Sequence, residues 1–150
     1  MERPAQKLFL HAIVLLPLVS LSLRWCGFRT TQSLLQRFIS NANLGQHQIN
    51  LQERAALAAH MVNSADRHAL SHSSCLAKSL TLWWLLGRQS IESHLRIGIR
   101  TVGEKFEAHA WVERNGAALN EPDEHHRHYA AFDRSLSAFP LDESREDTRE

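Results

Sequence analysis

Residues 71–84 read SHSSCLAKSLTLWW, and the reading of this stretch decides the fold. A run of small polar residues meets a thiol, Cys75, and then an apolar pattern at helical spacing. Ser73 or Ser74 is a natural N-cap, and Gly87 a natural stop. Leu76, Leu80 and Trp83 fall on one side, while Leu82, Leu85 and Leu86 carry apolarity round the rest. A helix apolar most of the way round is a buried one. Cys75 is therefore expected at the mouth of a core helix, where free N–H groups and the positive end of the dipole favour thiolate.

Working outward, residues 91–100 alternate as a strand, with Leu95, Ile97 and Ile99 on one face and His94, Arg96 and Gly98 on the other. Residues 102–105, VGEK, form a turn. Residues 106–113, FEAHAWVE, alternate again, with Phe106, Ala108, Ala110 and Val112 opposite His109 and Trp111. Asn115-Gly116 marks a hairpin, followed by a third strand from Ala117 to about Glu121, which Pro122 ends. Tyr129, Ala131 and Phe132 add a short edge strand. Helices followed by an antiparallel meander make an α+β layout.

Upstream, residues 50–66 form a helix with Asn50 and Glu53 as a capping box, and Leu51, Ala55, Ala58, Met61, Val62 and Ala65 at helical spacing. Residues 40–50, SNANLGQHQIN, read as a linker. Before them, Thr30 or Thr31 caps a helix carrying Leu34, Leu35, Phe38 and Ile39. Residues 8–23, LFLHAIVLLPLVSLSL, fall short of the ~20 apolar residues of a membrane span. Pro17 interrupts them, and no small-residue cleavage site follows. They read as a buried or partner-facing helix, with membrane association as the other reading. The expected division is an apolar helical arm over 1–49, a catalytic domain over 50–139 and a charged, frayed tail over 140–150.

Bulk properties exclude several classes. The chain has 150 residues and a net charge of +1, without the basic excess of a nucleic-acid binder. Two cysteines make no disulfide framework and favour a reducing, cytoplasmic setting. Cys26 reads as a small buried apolar residue. Residues 124–128, EHHRH, crowd histidines on a flexible segment, poor geometry for tetrahedral zinc, and read as a solvated loop. No metal or cofactor is expected.

A thiol at a helix start and a histidine on a strand are the parts of a cysteine nucleophile and its base. A third polar group must orient the imidazole. Hairpin register selects it. A two-residue loop at Asn115-Gly116 pairs Trp111 with Asn120; a three-residue loop with a Gly bulge pairs His109 with Glu121. Glu121 is preferred, because a carboxylate stabilises imidazolium better than an amide, and Asn120 is its rival. The Cys75 N–H supplies one oxyanion donor.

The blocks CLAKSLTLWWLLGRQSIESHLRIGIR and FEAHAWVERNGAALNE resemble the leader peptidases of bacterial lasso-peptide biosynthesis, a transglutaminase-like cysteine protease family. The resemblance covers roughly residues 50–125. It implies a transglutaminase-like or papain-like core, with Cys75 as nucleophile, His109 as base and Glu121 standing where the family often has Asp. It also implies a function: cutting the leader from a ribosomally made precursor and freeing the amine that an ATP-dependent cyclase uses to close a macrolactam. The first 50 residues lack a winged-helix pattern, so a separate small leader-recognition protein is expected as partner, with the arm as its docking surface or simply packed on the core. Acyl transfer to an amine and a non-catalytic precursor scaffold are the other functions such a chain could serve.

Overall fold

Among the described residues, three helices and a five-stranded antiparallel sheet enclose a hydrophobic core. The computed structural model describes residues 3–40, 50–69, 73–120, 129–131 and 136–137. The expected linker over 41–49, the residues Glu121, Pro122, Phe132 and 124–128, and the charged tail lie outside them. The architecture is α+β.

Helix α3 (Cys75–Arg88) is the axis of the core. Leu80, Leu82, Trp83 and Leu86 are fully buried, as its nearly all-round apolarity requires. Each such side chain contributes about 1.5–3 kcal/mol of transfer free energy. Gly87 does not stop the helix. It lies inside α3, where a Cβ would come within 2.8 Å of Ile39 Cδ1, so it permits close approach. The stop is a Schellman turn with Ser90 in the left-handed region at φ 58. Ser90 N–H donates to Gly87 O and Ile91 N–H to Leu86 O.

Helix α2 (Leu51–His68) lies against α3 through Ala55, Ala58, Ala59, Val62 and Ala65, all buried. The expected capping box is absent: Asn50 is left-handed at φ 63 and its side chain caps nothing. Helix α1 (Arg3–Ser40) covers both. Pro17 stays inside the helix and does not interrupt it; the break comes at Gly27, at φ 80 and ψ 173. There the chain folds back, so that Ser22 Oγ and Thr31 Oγ1, nine residues apart, are 2.8 Å from each other. Thr31 is therefore no N-cap: it is buried and its hydroxyl donates to Gly27 O at 2.8 Å. Ala12, Leu16, Val19, Leu35 and Ile39 of this arm share the core of α2 and α3.

Strands β1 (His94–Val102) and β2 (Lys105–Arg114) pair from His94↔Glu113 to Val102↔Lys105. Strand β3 (Ala117–Ala118) extends β2, while β4 (Ala130–Ala131) and β5 (Leu136–Ser137) pair with β1. Leu95 and Val112 face the helices and join the core. The far end of the β1–β2 hairpin projects beyond them. Phe106, which shares the face of Val112, is 76% exposed there.

Candidate active site

Cys75 is the first residue of α3, half-buried and not in a disulfide. Ser74 is the N-cap, its Oγ accepting from Ala77 N–H at 3.1 Å. One residue earlier, Ser73 N–H donates to Asp66 Oδ1 at 2.7 Å. Asp66 is 7% exposed and its other oxygen lies 3.6 Å from Lys78 Nζ. The carboxylate at the end of α2 thus ties down the approach to Cys75. Cys75 N–H belongs to the first turn, whose donors the helix itself leaves unused. Cys26, expected buried, is exposed beside the Gly27 break.

The cysteine helix meets the histidine strand through one buried hydrogen bond. Ser79 Oγ donates to the carbonyl of Ala110, next to His109, at 2.9 Å. The sense of approach follows from two further bonds. Arg114 Nη1 donates to Gln52 Oε1 at 2.9 Å, and Arg54 Nη2 to Gln89 Oε1 at 3.2 Å. These set the Arg114 end of β2 beside the start of α2 and the tail of α3. Cys75 precedes Ser79 by one turn, about 6 Å. The head of α3 therefore lies toward the His109 end of β2.

His109 is half-buried on the face of β2 opposite Val112. Its ring stacks beside Trp111, with centroids 6.0 Å apart, and beside Tyr129 at 5.0 Å. Gly98 is its cross-strand partner, and a Cβ there would be 2.9 Å from both Trp111 Cη2 and Tyr129 Cβ. The glycine makes room for the aromatic walls around the imidazole. Trp111, 1% exposed, donates from Nε1 to Glu113 Oε1 at 2.9 Å, and Glu113 Oε2 lies 3.4 Å from Arg96 Nε. Arg96 is half-buried in that pair. On the same face Arg100 pairs with Glu107 at 2.7 Å and covers the Tyr129 ring at 4.8 Å. The Glu107 carboxylate holds the exposed Arg100 guanidinium above its usual range.

The hairpin uses the two-residue loop. Arg114 pairs with Ala117, with Asn115 at φ 52 and Gly116 at φ 79, so the three-residue loop that would set Glu121 opposite His109 does not form. The regular ladder then ends at Ala118. Asn120 Oδ1 accepts from Val112 N–H at 3.0 Å, and its Nδ2 donates to Ser79 Oγ at 3.1 Å. Its carbonyl accepts from Asn63 Nδ2 at 3.2 Å. Asn120 thus pins the end of the hairpin to α3 and α2. Glu121 follows it, outside the described residues.

Asp66, Ser79 and Tyr129 escaped the sequence reading. Asp66 alone left a signal: an acid in the last turn of a helix opposes the dipole unless it holds something. Among the described residues, no group of three His, Cys, Asp or Glu is placed to hold a metal.

A half-buried thiol heads a core helix that is hydrogen-bonded to a histidine-bearing strand, and a thiol and an imidazole are two of the groups a cysteine-dependent enzyme uses. Residues 17–133 match the transglutaminase-like superfamily, and the chain belongs to it. The microcin J25-processing protein McjB of Escherichia coli is 41% identical over 49 residues, a match covering 33% of this chain and 23% of that protein. The match thus spans less than a quarter of the relative's length. No solved structure matches.

Proposed function

We propose that this chain is a cysteine peptidase that removes the leader from a ribosomally made lasso-peptide precursor. The observation that carries the proposal is the Ser79–Ala110 hydrogen bond, which joins the helix headed by Cys75 to the strand of His109. The similarity to a microcin-processing protein supports the substrate class. In this reading the Cys75 thiolate attacks the scissile carbonyl, while N–H groups at the head of α3 receive the oxyanion. Imidazolium at His109 gives its proton to the leaving amine. The imidazole then takes a proton from water, which hydrolyses the thioester and returns Cys75. Catalytic hydrogen bonds commonly tighten on substrate binding.

Glu121 is our choice for the group that orients His109. A carboxylate stabilises imidazolium, and Asn120 has both ends of its amide engaged toward α3 and β2. The partners in this reading are the precursor, a separate leader-recognition protein and an ATP-dependent cyclase, in a reducing cytoplasm.

The test is incubation with a precursor and recognition protein, read by mass spectrometry. The expected product is a precursor cut between leader and core, lost in Cys75→Ala and His109→Gln variants that keep the wild-type circular dichroism and melting temperature. A cross-linked or amidated product would assign acyl transfer instead. Processing that survives Cys75→Ala would leave only a scaffold.

A further inference from the structure

The first arm of α1, residues 3–26, is apolar on two opposite sides. Ala12, Leu16 and Val19 form one stripe, buried against the core. Leu10, Val14, Leu18, Leu21 and Trp25 form the other, roughly 180° round the helix, and each is more than half exposed. Beyond the Gly27 break, Leu34 and Phe38 extend the exposed apolar surface at 43% and 59%. A helix that needs only to pack on a core has no use for the second stripe.

Charge identifies what covers it. Helix α1 carries five basic residues and no acidic one. Elsewhere the chain holds twelve basic residues against sixteen acidic, so the asymmetry belongs to this element. The apolar run is bracketed by exposed Lys7 and Arg24, and Trp25, 80% exposed, sits at the bend between Arg24 and Arg29. Basic residues flanking an apolar face with tryptophan at its end is the pattern of a helix lying in a lipid interface.

A pocket points the same way. A cavity of about 500 Å³ between α1, α2 and α3 is lined by Lys7, His11, Arg54 and Arg88, with Trp84 and Leu57 in its wall and, among the described residues, no carboxylate. Arg54 is held by the Gln89 amide oxygen, and Arg88 by the Phe38 carbonyl and the Trp84 ring, and neither has a carboxylate partner among the described residues. Lys7 and His11 lie on the helix beside Leu10 and Val14, so the basic pocket borders the exposed stripe. Such pockets take anionic headgroups.

We propose that α1 docks the protein on the surface of an anionic phospholipid bilayer. The Leu10–Trp25 stripe enters the acyl boundary and the Lys7, Arg54 and Arg88 pocket receives a lipid phosphate. Helix α1 is long and apolar enough to cross a membrane. It lies on the surface instead, because spanning would strip Ala12, Leu16 and Val19 from the core they complete. This inference is independent of the peptidase reading.

The experiment is co-sedimentation of the full chain with vesicles of phosphatidylcholine alone or mixed equally with phosphatidylglycerol. Binding should be at least roughly tenfold tighter to the anionic vesicles and should weaken with salt. Val14→Glu with Leu18→Glu, both at exposed positions, should abolish it. Arg54→Gln with Arg88→Gln should remove most of the anionic preference. In a Trp84→Phe background, which removes the tryptophan in the pocket wall, brominated lipid should quench Trp25 fluorescence, a signal lost on adding Trp25→Phe, since Trp83 and Trp111 are buried. Equal binding to neutral vesicles, unchanged binding by the Val14/Leu18 variant, or no binding at all would overturn the proposal. So would a stable dimer that the Val14/Leu18 variant dissociates, because a second copy would then be the occupant.

Discussion

Ser79 Oγ donates to the carbonyl of Ala110 and accepts from Asn120 Nδ2, all in the buried layer between α3 and β2. One hydroxyl thereby sets the helix of Cys75, the strand of His109 and the end of the hairpin in a fixed relation. Replacing Ser79 by Ala would leave a buried carbonyl and an amide without this partner, at a cost of about 1–3 kcal/mol. Urea denaturation of Ser79→Ala should show that loss. The proposed peptidase activity should fall further than the lost folded population explains, because the head of α3 is no longer held in register with the strand of His109.

Asp66 gives a second test. Its carboxylate accepts from Ser73 N–H, two residues before Cys75, and faces Lys78. Asp66→Asn keeps an acceptor for Ser73 and loses the ion pair, whereas Asp66→Ala loses both. The expected order of melting temperature is wild type, then Asn, then Ala, with the Ala variant about 1–3 kcal/mol less stable. The same order is expected for the rate of thiol alkylation at Cys75, if the carboxylate holds the helix mouth in shape. Equal alkylation rates in all three proteins would restrict Asp66 to stability.

Gly98 is cross-strand from His109, and a side chain there collides with Trp111 and Tyr129. Gly98→Ala should displace the rings that flank the imidazole, an overpacking cost of about 1–3 kcal/mol. Activity assayed well below the melting temperature should drop by at least roughly tenfold, since a misplaced catalytic group loses more rate than stability. Wild-type activity in this variant would show that the aromatic walls do not position His109.

Ser90 predicts a gain. It holds the left-handed position of the turn that ends α3, at φ 58, where glycine is the residue of least strain. Ser90→Gly is expected to stabilise the chain, the relief of roughly 1–2 kcal/mol of left-handed strain being offset in part by the freer unfolded chain. Activity should stay at the wild-type level, because the site is at the opposite end of the helix.

Periodicity made the frame legible. The all-round apolarity after Cys75 announced a buried helix, the alternation of 95–99 and 106–112 announced two strands, and Asn115-Gly116 announced their continuation. These are local properties, written in neighbouring residues. Helix punctuation was less legible. Pro17 and Gly87 both suggested interruption, yet helix packing on both sides of each kept the chain helical, and Gly27 took the break instead. The capping box at Asn50 failed because its backbone is left-handed, and backbone conformation decides whether a cap side chain can reach its donor.

By itself, then, the order of residues determined the elements and their chemistry: a thiol at a helix mouth, an imidazole on an alternating strand, and an apolar arm ahead of them. Only folding in three dimensions decided how they are joined. The one-residue choice at the hairpin, Ser79 against Ala110, Asp66 against Ser73 and Tyr129 beside His109 are all settled by contacts between separate segments. Local propensity is indifferent among such pairings. The free energy of burying and satisfying polar groups together is not, and it exists only once the helices and the sheet have met.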